Sequence, residues 1–165
     1  MSDALAVITR VISEHHNIRG HVKLAGDTVS DIEAIFTLRK AYSGWTQSST
    51  QALVEKLNQM QQAISSLEEG LKNHFTFEEA ALPPFLGEIL MKALKQEHQE
   101  ISRQIEKAKT RLTSTKLEGL SQQELLSRKS EIQQMVNHLS QTVEEHASHE
   151  EIILGMVEKA VASNG

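Results

Sequence analysis

At 165 residues, 39% hydrophobic and 24% charged, the chain has the size and balance of one compact domain over 1–165, with room for a buried site. It contains no cysteine, which excludes disulfides, thiolate zinc fingers, iron–sulfur clusters and cysteine nucleophiles. A net charge of −5 argues against a nucleic-acid surface, and no apolar run has membrane-spanning length or marks a signal peptide, so a cytoplasmic protein is expected.

Ala, Leu, Gln, Glu and Lys dominate and strand-like alternation is absent, so each element reads as helix. The first helix, about 3–43, follows an N-cap candidate at Ser2 or Asp3. Its apolar stripe is Leu5, Ile8, Ile12, Ile18, Val22, Ala25, Val29, Ile32 and Phe36. A loop is expected from Gly44 to Ser49, with Tyr42 and Trp45 closing that end of the molecule. Ser48 with Gln51 gives a capping-box pattern for the second helix, about 50–82, striped by Leu53, Leu57, Met60, Ile64, Leu67 and Leu71. The only two prolines, Pro83 and Pro84, must end that helix, and they cut the chain into near-equal halves. The third helix, about 86–113, carries Leu90, Leu94, Ile101, Ile105, Ala108 and Leu112. After a loop from Thr113 to Leu120, Ser121 with Glu124 forms a second capping box. The fourth helix, about 121–161, shows Leu125, Ile132, Val136, Leu139, Val143, Ile153 and Val157. Four amphipathic helices with short connections predict an all-α, antiparallel up-down four-helix bundle.

The stripes have gaps, and polar residues fill them. His15 stands between Ile12 and Ile18, and His98 between Leu94 and Ile101. The second stripe continues from Leu71 to His74 and Glu78, and the fourth from Val143 to His146 and Glu150. Residues four apart share one helix face, so each His-x-x-x-Glu pair can serve one cluster. Placed in an up-down bundle, all four histidines fall at one level. A lone histidine on an apolar face is usually a satisfied core residue. Six in-seam polar residues in one layer are different, because two facing buried carboxylates are costly unless a cation neutralises them.

The halves also repeat. Glu14-His15-x-x-Ile18 echoes Glu97-His98-x-x-Ile101, and the segment from His74 to Leu82 echoes that from His146 to Leu154. Each half supplies two histidines and one carboxylate, which suits two metal ions, each on two imidazoles and both bridged by the glutamates. Bridging carboxylates in a bundle point to a pair of iron or manganese ions, and the mixed donor set also admits zinc. His16, His21, His138 and His149 lie one residue off the seams and are expected in solvent. His16, His149, Glu79 and Glu151 are candidates to hydrogen-bond the ligand imidazoles from outside.

The order His, His-x-x-x-Glu, His, His-x-x-x-Glu resembles the hemerythrin/HHE cation-binding family, as do the flanking segments SEHHNI, HFTFEEAALPPF and KQEHQEI. The resemblance runs from about Asp3 to Ala160. It implies that His15, His74, Glu78, His98, His146 and Glu150 bind a non-haem di-iron centre with Glu78 and Glu150 bridging. It also implies a small ligand such as dioxygen, peroxide or nitric oxide. The family's oxygen carriers have a fifth histidine one turn from the third-helix ligand, where this chain has Leu94 and Ser102. Their last carboxylate is an aspartate five residues after its histidine, whereas Glu150 follows His146 by four. Both departures favour reactive chemistry or sensing over reversible carriage.

Three functions follow as expectations. In the first, a di-iron protein binds or senses dioxygen or related oxidants behind apolar walls of Leu71, Phe75, Leu94, Ile101 and Val143. In the second, an enzyme turns over peroxide or nitric oxide at the same centre, with Ser102, Tyr42 or His149 as proton donor. The third is a structural or zinc-bound interaction module, metal-free in its simplest form, whose polar layer only sets helix pairing. No nucleic acid or membrane is expected as a partner, and the sequence names no protein partner.

Overall fold

The computed structural model describes the backbone of residues 2–41, 47–117 and 119–164. It contains helices α1 (Ser2–Ala41), α2 (Gln47–Ala81), α3 (Pro83–Ser114) and α4 (Gln122–Ser163). Each packs on two neighbours in a closed ring, α1 on α2, α2 on α3, α3 on α4 and α4 on α1. Ion pairs fix the directions. Lys56 meets Asp31 (3.0 Å) and Glu14 meets His74, so α2 runs against α1. Lys109 with Glu68 and His98 with Glu79, Arg111 with Glu131 and His146 with Glu97, and Lys129 with Glu33 and His15 with Glu151 show the same for the other three seams. The bundle is all-α and antiparallel, as the stripes predict.

The helix ends follow local chemistry. At α4, Ser121 accepts from the Glu124 amide (3.2 Å) and Glu124 accepts from the Ser121 amide (2.7 Å), the expected reciprocal box. Helix α2 begins at Gln47, three residues before the expected start, while Tyr42, Trp45 and the Ser48 side chain lie outside the described residues. Helix α2 ends at Ala81, and Pro83 and Pro84 fill the first turn of α3, where missing N–H groups leave no bond unmade. The chain then breaks at Gly87, whose φ of 75° and ψ of 174° suit glycine, so the regular part of α3 starts beyond it.

Five stripe assignments shift. In α1 the inward residues are Ala4, Ile8, Val11, His15 and Ile18, whereas Leu5 and Ile12 are 40% and 43% exposed. Counting back from Ile18 by alternating threes and fours reaches Ala4, and Leu5 and Ile12 lie one position round the helix from that track. In α3, Met91 is buried in place of Leu90. In α4 the seam runs Val143, His146, Glu150, Leu154, which leaves Ile153 and Val157 half-buried.

The apolar interior is in two parts. One cluster holds Ile18, Leu71, Phe75, Ile101 and Val143 with the long half of the bundle beyond them. The other holds Ile8, Val11, Leu82, Leu86, Met91, Leu94 and Leu154. Between them each helix buries its polar residues, His15, His74 with Glu78, His98, and His146 with Glu150, all at most 4% exposed.

Candidate metal centre

All six seam residues converge. Two groups of ligand atoms form, His15, His74, Glu78 and Glu150 in one, and His98, His146, Glu78 and Glu150 in the other. Each carboxylate turns one oxygen to each group. Glu78 Oε1 lies 2.5 Å from His74 Nε2 and 3.6 Å from His15 Nε2, while Oε2 lies 3.1 Å from His98 Nε2. Glu150 Oε1 lies 3.1 Å from His15 Nε2, and Oε2 lies 2.9 Å from His146 Nε2 and 3.7 Å from His98 Nε2. Two donors at right angles, each about 2.1 Å from one ion, sit roughly 3 Å apart, so these separations match ligands around shared centres.

Hydrogen bonding leaves the same atoms over. Nε2 of His74, His98 and His146, both oxygens of Glu78 and Oε2 of Glu150 are buried without a well-aligned hydrogen bond in the described structure, and face one another only as close ionic contacts. Such orphaned polar atoms are costly in a dry interior. The donor set of imidazoles and shared carboxylates therefore fits a pair of divalent cations.

The outward face of each ring is braced. His15 Nδ1 donates to Glu151 (3.2 Å), His74 Nδ1 to Glu14 (2.7 Å), His98 Nδ1 to Glu79 (2.9 Å) and His146 Nδ1 to Glu97 (2.9 Å). These bonds direct each Nε2 inward and raise ligand basicity. They also form a cycle, because every bracing glutamate is the sequence neighbour of a ligand on one helix and holds a ligand on the next. Glu79 and Glu151 were anticipated in this role, but Glu14 and Glu97 were not, although both sit beside a ligand histidine in the repeat.

Burial alone would make these imidazoles less basic. The facing carboxylates of Glu150 and Glu78 outweigh it, raising His15 to about 10 and His98 to about 9. His146 is raised as well, chiefly by Glu150 against burial. Burial opposes ionisation of Glu150, but the facing imidazoles of His146, His15 and His98 outweigh it and hold the carboxyl well below the usual range.

Other histidines point away. His16 and His138 are exposed and His21 is half-buried. His149 is exposed but donates from Nδ1 to the outer Glu97 (3.1 Å), so of the two histidines expected to support the site it reaches a bracing carboxylate. Apolar neighbours exclude water, with the Phe75 ring stacked on His98 at 3.9 Å and 11° and set edge-on to His146 at 5.7 Å.

Fold and site together define a four-helix bundle built to hold metal. The family model described as the hemerythrin HHE cation binding domain matches residues 7–157, and the chain belongs to that family. No curated protein and no solved structure matches the chain significantly. Among the described residues no helix is long and apolar enough to cross a membrane.

Proposed function

We propose that His15, His74, Glu78, His98, His146 and Glu150 hold two iron ions, and that the protein binds or senses dioxygen or a related small oxidant there. One observation carries the reading: each of two buried carboxylates presents one oxygen to each of two imidazole pairs. Bound iron would supply reversible electron transfer and a coordination position for the small ligand. The chain's part is to orient four Nε2 donors by outer carboxylates and to keep water off the centre with Leu71, Phe75, Leu94, Ile101 and Val143, all buried. Manganese and zinc suit the same donors, so iron rests on the family's chemistry and the bridging carboxylates.

Among the expected proton donors, Ser102 is exposed and Tyr42 lies outside the described residues. His149 bonds the outer carboxylate Glu97 and not a ligand atom among the described residues. The test is to load the protein anaerobically with ferrous iron, admit oxygen and record the visible spectrum. New iron-dependent absorption that reverses on removing oxygen supports binding. Steady consumption of peroxide or nitric oxide would transfer the site to the enzyme reading, and no iron uptake would leave a zinc or structural bundle.

A further inference from the structure

The repeat makes the two ligand groups alike, but what backs them differs. Around His15 and His74 each bracing carboxylate is held by a guanidinium. Arg10 Nε donates to Glu14 (2.9 Å) and its guanidinium carbon lies 3.6 Å over the Phe77 ring of α2. Arg19 donates twice to Glu151 (2.7 and 3.1 Å) and twice to Glu144 (2.8 and 3.0 Å), stitching α1 to α4. At the repeat-equivalent places on α3 stand Ala93 and Ser102, which carry no cation. Among the described residues Glu79 pairs with His98 alone, and Glu97 is shared between His146 and the exposed His149.

The second half also opens outward. A surface groove of about 400 Å³ between α3 and α4 is lined by Ala93, Glu97, Glu145 and His149 and reaches the ligand His146. His98 is pinned by the Phe75 stack, so His146 is the ligand with a route to swing.

We propose that the two metal positions exchange unequally: the ion on His98 and His146 passes through the α3–α4 groove, and the ion on His15 and His74 is retained behind Arg10 and Arg19. The proposal rests on the two-ion reading of the site. For an ion to leave, an imidazole must turn away, and its bracing carboxylate must let go or move with it. In the first half that motion breaks charge-assisted bonds, Arg19 to Glu151 across helices and Arg10 to Glu14 along α1. In the second half it displaces only Glu97 and a solvent-facing imidazole.

The test loads the full chain with two cobalt(II) ions, adds excess EDTA and follows cobalt release by absorbance. Two phases of equal amplitude are expected, at least tenfold apart in rate. Replacing both arginines (R10A with R19A) should speed the slow phase about tenfold and leave the fast one. Conversely A93R, at an exposed position four residues before Glu97 as Arg10 is before Glu14, should slow the fast phase several-fold. Release of both ions in one phase overturns the proposal, as do two phases that neither variant moves. A chain that never takes up two cobalt ions instead overturns the two-ion reading beneath it.

Discussion

Each ligand histidine is the middle of a chain that begins at a buried oxygen and ends at an outer carboxylate. Such outer partners set ring orientation, and removing one typically lowers metal affinity by about 10–100-fold. Replacing Glu97 by Gln should therefore weaken cobalt binding in that range while saturation still reaches two ions per chain, a result that a metal titration checks. Protons compete at the same atoms. His15 and His98, raised to about 10 and about 9 from 6.5, add stability to the metal-free fold that is complete below pH 6.5 and lost as pH rises through those values. Glu150, lowered from 4.5, adds stability present above that pH and lost in acid. Urea midpoints of metal-free protein should thus peak between pH 4.5 and 6.5 and fall towards pH 10. Metal must displace the imidazole protons, so affinity should rise with pH and loading near neutrality should release about two to three protons. The six inner residues were legible because each interrupts an apolar stripe in register. Glu14 and Glu97 were less so, since each bonds to a histidine on another helix, and that pairing depends on which helices are neighbours in the ring.

The helices owe their boundaries to a few residues whose loss has a defined cost. Gly87 holds φ at 75° with open space where a Cβ would stand, so G87A meets no clash and pays only in backbone strain. We expect destabilisation of about 1–2 kcal/mol from that strain, read as a lower urea midpoint with metal binding retained. Loss of the Ser121 cap (S121A) should cost about 1 kcal/mol in the same assay. Helix number, order and most seams could be read from spacing alone. Apart from Val22, half-buried beside the larger cluster, the misplaced residues, Leu5, Ile12, Leu90, Ile153 and Val157, lie in the half that carries the smaller core cluster. Four of them have a buried apolar neighbour one residue away, Ala4, Val11, Met91 and Leu154, and hydrophobic periodicity cannot choose between neighbours; packing against the facing helices does.

At the scale of the whole molecule, a polar layer divides the core in two, and the bundle is stable only if that layer is neutralised. Without metal, imidazolium and carboxylate groups neutralise one another. With metal, the ions take over that role. Glu78 belongs to both ligand groups, so replacing His74 and Glu78 together by Leu should abolish binding of both ions while helicity and the metal-free urea midpoint are kept or raised. A fold that depended on those two residues for helix pairing would instead lose its cooperative transition. The central claim, that two carboxylates bridge two imidazole pairs around two ions, is tested most directly by counting tightly bound iron after anaerobic loading with ferrous iron. Two bridged positions require two irons per chain; one iron, or none with the fold intact, would contradict them.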